Sequence, residues 1–494
     1  MEQLTPGEWA KEQLKRAPSF AIATAVVAAM LVVSTFIQYA EPSNPPTIDP
    51  VEAEIAEEEP PPIEEIKDRI EPERPKLDPM KPAPAVEQED VVPVNAALDD
   101  VTADIEFTED PTSDALESSD PFPMELTKKM AVIGTTSGTG GFRGVLGSRS
   151  KSGKRRAARR FGMPKGTDKD ILAGLRWLKK VQNKETGGWD CRKWGGNRGA
   201  DQGVSGLALL AFLGFGCTDK QPTEFASTVR KAIQYLVKKQ QTEGSDGADS
   251  KKGWFGERMY SQGICTMALA EAYAMTGRRD CERAAQMGLD YILRKQPTWG
   301  AFGYTGPGND TSVTGFQLQA LKAAYVAGLK VPKQARDRAE RYLRICMAKN
   351  YSTPYRIDAS REVQGGGTPT MTAASLTGRL FLGHKRDAPD CEGQANYLTG
   401  NDRHVMAGKQ ASNLYFIYYL SLSMFNMGGK YWKSWNNAFN LPLRARQVKA
   451  GPDMGSWPTE GFRYGAHGGR IYTTAMACLA LEVYFRYLPS YKSF

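Results

Sequence analysis

Residues 235–274 read YLVKKQQTEGSDGADSKKGWFGERMYSQGICTMALAEAYA. The stretch opens on an aromatic-Leu pair, Tyr235-Leu236, and a glutamine, Gln240. It turns at Gly253-Trp254-Phe255 and continues into an apolar run, Ile264–Ala274. The charged residues before the turn, Lys238 and Lys239, fall on one side of a 3.6-residue period, which describes a half-exposed helix. The run after the turn is apolar on nearly every side, which describes a helix buried all round. The unit is therefore an outer helix, a tight turn and an inner helix.

Working outward, the unit recurs. Upstream lie Trp177-Leu178 with Gln182, the turn Gly187-Gly188-Trp189 and the run Gly203–Phe212. Downstream lie Tyr291-Ile292 with Gln296, the turn Gly300-Ala301-Phe302 and the run Val313–Val326. Weaker copies follow. Tyr342-Leu343 leads through Tyr355 to 369–382, and Tyr397-Leu398 leads to 413–427. Leu443 with Gln447 and Gly455-Ser456-Trp457 leads to 471–487. The copies are spaced 45 to 58 residues apart, longer than the ~34 of a tetratricopeptide repeat. Six outer and six inner helices predict an all-α fold, an α/α toroid of six helix-pair repeats over residues 166–494. A closed ring leaves no end face to cap.

The residues before the ring divide by composition. Between residues 17 and 40 there is no charge, and 20–37 (FAIATAVVAAMLVVSTFI) is almost wholly apolar. About 20 such residues span a bilayer core as a helix. Lys11, Lys15 and Arg16 precede the run and no Lys or Arg follows until Lys67. This bias predicts a cytoplasmic tail (1–16), a transmembrane helix (17–40) and an extracytoplasmic, periplasm-like remainder. Gln38 stands where a signal-peptide cleavage site needs a small residue, which favours an uncleaved anchor. Residues 41–125 hold 26 Asp/Glu against five Lys/Arg, and Pro60-Pro61-Pro62 sits among them. This composition predicts a disordered, extended tether. The chain carries +8 overall, so residues 126–494 carry +29 and favour anionic neighbours.

Residues 126–165 read as a Gly-rich, basic hinge. Seven of the twelve residues 149–160 are Lys or Arg, a run suited to pairing with the acidic tether or with anionic lipid; nucleic acid is the less favoured partner. Gly147, Gly153 and Lys154 do not make a phosphate loop, because the spacing is off by one and no Ser/Thr follows the lysine. The seven cysteines are scattered, without a Cys-x-x-Cys; Cys265, Cys346 and Cys478 sit inside apolar helical patterns and read as buried thiols, and no disulfide or zinc framework is indicated.

The repeat unit resembles the prenyltransferase and squalene-oxidase repeat, the fold of triterpene cyclases and of protein prenyltransferase β-subunits, over about residues 166–489. The resemblance implies two chemistries that can be checked. Cyclases of this kind protonate an alkene from the middle Asp of an Asp-x-Asp-Asp-Thr motif. Here the stretch is Asn309-Asp310-Thr311, with an amide at the donor position. Protein prenyltransferases hold zinc through Asp, Cys and His. Here Tyr472-Thr473-Thr474 has Thr473 at the His position, and there is no Asp-x-Cys. The thioester Cys-Gly-Glu-Gln of complement-type toroids is also missing, since Cys391-Glu392-Gly393-Gln394 reverses its middle pair. The chain thus looks like a membrane-anchored bacterial branch of the fold without the usual acid and zinc ligands. No cofactor and no metal site is indicated, and the chain holds three histidines in all.

Parallel inner helices gather their N-termini at one mouth. The polar residues there are Asp201, Gln202, Gln262, Asp310, Thr311 and Thr473, with Tyr472 beside them and Tyr415 on the aromatic fifth inner helix. They are candidates for ligand binding, and Asp310 for acid catalysis. The competing role for Ser, Thr, Asp and Asn at these positions is N-capping, and for Asp310 the cap is the favoured reading. Three function classes remain. The first is a non-catalytic envelope binding or scaffold module taking an anionic polymer, lipid or peptide. The second is a terpenoid-handling enzyme with an altered acid motif. The third is a carbohydrate-active toroid using Asp201 and Asp310, at a separation the sequence does not give.

Overall fold

The computed structural model describes residues 144–486 except 197–198, 245–246, 248–249, 358–365 and 401–407. The anchor and tether segments, 1–125, lie outside the described residues. Among those described, no helix is long and apolar enough to cross a membrane.

A short 3-10 turn (Gly144–Arg149) leads into α1 (Lys151–Arg160). The six pairs then follow in order. Outer helices are α2 (Thr167–Val181), α4 (Ala226–Lys239), α6 (Arg279–Lys295), α8 (Lys333–Ile345), α10 (Pro389–Thr399) and α13 (Gly429–Ala445). Inner helices are α3 (Asp201–Gly214), α5 (Met259–Thr276), α7 (Thr311–Val326), α9 (Pro369–Leu382), α12 (Leu414–Met427) and α14 (Gly465–Leu481). A single turn, α11 (Gly408–Ala411), precedes α12, and α15 (Val483–Arg486) ends the described chain.

The contrast between the two helix types holds. In α2 the buried residues are Thr167, Ile171, Gly174, Leu175, Trp177 and Leu178, one stripe at helical spacing. In α3 every residue from Gly203 to Gly214 is buried. At roughly 1.5–3 kcal/mol per buried large apolar side chain, inner helices supply most of the core. Each inner helix packs on the next, and α14 packs back on α3. The array is a closed α/α toroid.

The repeated glutamine is the clasp between units. Gln182 donates from Nε2 to the turn carbonyl of Gly187 (2.8 Å) and to Thr228 O on the next outer helix (3.0 Å). Gln240 donates in the same way to Gly253 O and Ala284 O, and Gln296 reaches Ala335 O. The sixth copy, Gln447, donates to Gly455 O (2.9 Å) and to Asp170 O (2.7 Å) in α2. The same bond that links neighbours therefore closes the ring. The turn glycines have a steric reason. Gly253 and Gly300 have φ of +88° and +92°, and a Cβ would lie 2.0 and 1.9 Å from the carbonyl oxygens of Met287 and Arg338 on the next outer helix. Only glycine permits both the left-handed backbone and that approach.

Two residues of the basic run, Arg149 and Lys154, are drawn into the ring. The reason is the direction of the inner helices, whose C-termini gather carbonyl oxygens and partial negative charge at the second mouth. Arg149 inserts there, 1% exposed. It donates from Nη1 to Glu271 Oε2 (2.8 Å) and Leu213 O (3.2 Å), and from Nε to Arg486 O (2.9 Å). Lys154 Nζ donates to Phe215 O (2.8 Å) and lies 3.7 Å above the Phe215 ring. Arg149 is thus paired inside the ring. Lys151, Arg155, Arg156 and Arg159 remain exposed.

Candidate functional site at the N-terminal mouth

The opposite mouth carries the N-termini of the inner helices, and most of its polar groups are already engaged. Asp310 is the N-cap of α7. Its Oδ1 accepts from Ser312 N (2.9 Å), Val313 N (3.1 Å) and Ser312 Oγ (2.6 Å). At 1% exposure with these donors it stabilises the helix start, as its place in the sequence suggested. Thr311 is buried, its hydroxyl meeting Tyr342 Oη (2.7 Å) and donating to Pro354 O (2.8 Å).

Other expected ligand groups turn out to be internal. Gln262 is fully buried and faces its own turn, accepting from Phe255 N (3.2 Å) and donating to Gly253 O and Gly288 O (both 3.0 Å). Thr473 is fully buried and donates to Trp457 O (2.6 Å). The hydroxyls of Ser205, Thr314, Thr372 and Thr474 each accept a backbone N–H from the turn segment of their own unit, at 2.9 to 3.1 Å. These positions repeat because the turn must dock on the inner helix. They are not free to form a funnel around a ligand.

Asp201 and Gln202 stay half-buried at the start of α3. Asp201 Oδ1 accepts from Cys191 N (3.0 Å). Glu257, in the loop before α5, does the capping of α3. Its two oxygens accept from Gln202 N (2.7 Å) and Gly203 N (3.1 Å), and Ser261 Oγ also donates to it. Burial pushes its carboxyl up to about 7, against those donors, with Asp201 adding to the rise. Glu257 can carry a proton near neutrality, but its oxygens are committed to the end of α3. Tyr472 is half-buried, and desolvation raises its phenol above the usual range.

Next to Asp310 a tyrosine cluster forms the floor and rim of the mouth. Tyr260 Oη meets Ser312 Oγ, Tyr355 Oη meets Ser312 Oγ (3.3 Å) and Tyr304 Oη (2.6 Å), and Tyr415 Oη donates to Ser312 O (2.6 Å). Arg258 lies over the Tyr304 ring and Arg356 over the Tyr355 ring, each at 5.7 Å. Arg356 is 3.8 Å from Asp310 Oδ2 and its side chain is 59% exposed. Below this rim the axis is filled. Phe316 of α7 stacks on Tyr418 of α12 at 6.3 Å and meets Tyr415 and Tyr419 edge-on at 5.9 and 5.8 Å. Tyr418 donates to Gln319 Oε1, and Gln319 donates to Tyr419 Oη. Tyr415 is therefore a buried part of this plug with only its hydroxyl toward the mouth.

The sequence reading missed Glu257, Arg258, Tyr304 and Arg356 as site residues. They share a signal that was available. Each lies in the loop between a unit's outer and inner helix, the first three just after a Gly-aromatic turn, and those loops, more than the inner-helix ends, line the rim.

No protein-family model matches this chain, and no curated protein matches it. Solved structures do resemble it. An unsaturated glucuronyl hydrolase specific for heparin aligns at 13% identity over 64% of this chain and 96% of its own, with a TM-score of 0.46. A type II terpene cyclase from Scytonema aligns at 13% identity over 65% and 97%, with a TM-score of 0.41. A protein from Actinoplanes aligns at 16% identity over 64% and 99%, with a TM-score of 0.43. At scores below 0.5, no ligand and no reaction is carried over from them.

Proposed function

We propose that the toroid is a non-catalytic binding module, and that its ligand is an anionic, sugar-containing polymer of the cell envelope lying across the rim of Arg258, Tyr304, Tyr355 and Arg356. The observation that carries this reading is the division of labour at the mouth. Of the carboxylates that could act as acids, Glu257 has both oxygens and Asp310 its Oδ1 on helix-cap N–H groups, while Asp310 Oδ2 accepts no hydrogen bond among the described residues and faces Arg356 at 3.8 Å. The groups left facing out are two joined tyrosines, each with an arginine on its ring. Aromatic faces stack on sugar rings, and guanidinium groups fork onto carboxylate or phosphate. The axis that would have to hold a terpenoid chain is occupied by Phe316, Tyr415, Tyr418 and Tyr419. The repeat resemblance to prenyltransferases and cyclases is thus kept as a likeness of architecture. We further propose that residues 17–40 anchor the chain with this module outside the membrane and that residues 41–125 give it reach.

The experiment is a binding titration of the purified full chain with a polyuronate and with a neutral glucan of equal length. Binding to the polyuronate only, weakened at least tenfold in the Tyr304→Ala, Tyr355→Ala double variant, supports the reading. Equal affinity for both polymers, or release of reducing ends from either, sinks it. Protease treatment of spheroplasts tests the anchor, and a protected C-terminal domain would overturn it.

A further inference from the structure

A second site lies in the turn between α9 and α10, where α9 ends at Leu382 and α10 begins at Pro389. The turn brings His384, Asp390 and Cys391 together, with their candidate ligand atoms all within 4.8 Å of one another. His384 Nδ1 faces Asp390 Oδ2 at 3.0 Å. Its other nitrogen, Nε2, meets Glu340 Oε1 on α8 at 2.7 Å. Asp390 is oriented in turn, since its Oδ1 accepts from Cys391 N (2.9 Å) and its Oδ2 from Arg379 Nη1 (2.6 Å). His384 and Asp390 are half-buried and Cys391 is buried.

We propose that His384 Nδ1, Asp390 Oδ2 and Cys391 Sγ bind a divalent ion of the zinc class, leaving a fourth position for water. Two observations carry this. The donor set is one imidazole, one carboxylate and one thiolate, the mixture that suits tetrahedral Zn2+ rather than Mg2+ or Ca2+. The second shell is already in place, because a zinc-bound histidine commonly gives its other N–H to a carboxylate, as His384 Nε2 meets Glu340. The site is separate from the Tyr472-Thr473 stretch and from the tyrosine rim, and it does not depend on the polymer-binding proposal.

Co2+ is the probe, added to the full chain freed of metal with a chelator. One equivalent should bind and give a thiolate-to-cobalt charge-transfer band in the near ultraviolet, displaced by Zn2+. Cys391→Ser should abolish the band, and Cys281→Ser, a buried thiol on another outer helix, should leave it. Glu340→Gln should keep the band but weaken affinity about 10–100-fold. Thermal melts of the metal-free variants show whether each is folded, and Zn2+ should raise the melting temperature of the parent but not of Asp390→Asn. Failure to take up Co2+, or a band that survives Cys391→Ser, overturns the proposal.

Discussion

Arg149 offers a sharp test of how the ring is finished. Its guanidinium bonds Glu271, Leu213 O and Arg486 O, and the ion pair with Glu271 is almost fully buried, with side-chain exposures of 0% and 3%. Removing one partner of a buried pair costs about 3–5 kcal/mol, because the other charge is left without compensation. Here Arg486 still lies 3.3 Å from the second oxygen of Glu271, so Arg149→Ala should fall at the low end, about 3 kcal/mol. At ~2 °C per kcal/mol for a large domain, the melting temperature should drop by about 6 °C in scanning calorimetry of the full chain. Arg149→Lys should recover only part, since an ammonium cannot reproduce the fork. A chain beginning at residue 161 should lose at least as much as Arg149→Ala. The control is Lys333→Ala, which breaks an exposed pair with Asp337 worth about 0–1 kcal/mol. If Arg149→Ala melts within a degree of Lys333→Ala, the buried plug is not holding the second mouth and the reasoning fails.

Three further outcomes follow from the same geometry. Gln447→Ala strips a buried and a partly buried carbonyl of their donor at the ring seam and should cost about 1–3 kcal/mol, with faster amide exchange in α2 as the local readout. Asp310→Ala should cost about 0.5–2 kcal/mol and Asp310→Asn much less, because the amide oxygen can still cap; a polymer affinity lost in Asp310→Asn at unchanged stability would show a ligand role instead. Glu482 is fully buried, and both its oxygens lack a hydrogen-bond donor among the described residues. Desolvation holds its carboxyl well above the ordinary range, despite Arg486, Arg149 and Lys154 nearby. A raised folded value means stability falls as pH rises above the unfolded range near ~4.3. Glu482→Gln should therefore gain on the parent at pH 7–8 and match it near pH 4 in denaturant titrations.

The ring was legible because its signal is repeated. Gln182, Gln240, Gln296 and Gln447 recur after an outer helix, and each reaches a carbonyl on the next unit. The cap role of Asp310 was also legible, since an Asp before an apolar helix has a local partner in its own first turn. What was not legible depends on contacts distant in sequence. Arg149 lies 122 residues from Glu271, and nothing local separates it from the exposed arginines 155 and 156. Gln262 and Thr473 sit at inner-helix starts, like true mouth residues, yet face inward because their turns need them. His384 and Cys391 were close in sequence, but the chain's few histidines argued against a metal site, and Glu340 arrives from a different helix.

The direction of the inner helices explains where charge is placed, and it isolates the residues left over. Each helix carries roughly half a positive charge at its N-terminus and half a negative one at its C-terminus, so six parallel helices polarise the ring along its axis. The chain answers at both ends. Asp201, Glu257 and Asp310 sit at the positive mouth, and Arg149, Lys154 and Arg486 at the negative one. Arg258 and Arg356 break that order, because they add positive charge to the positive mouth. Both are exposed, and Arg356 reaches the buried Asp310 Oδ2 only at 3.8 Å. A long pair made by a 59%-exposed guanidinium contributes little to stability, about 0–1 kcal/mol, whereas an anionic ligand would engage both arginines. Arg258→Gln with Arg356→Gln should therefore leave the melting temperature unchanged within the ~0.5 kcal/mol typical of surface substitutions. The same pair should lower polyuronate affinity at least tenfold and flatten its salt dependence. A marked loss of stability with affinity intact would make these arginines structural and remove the rim from consideration as a ligand surface.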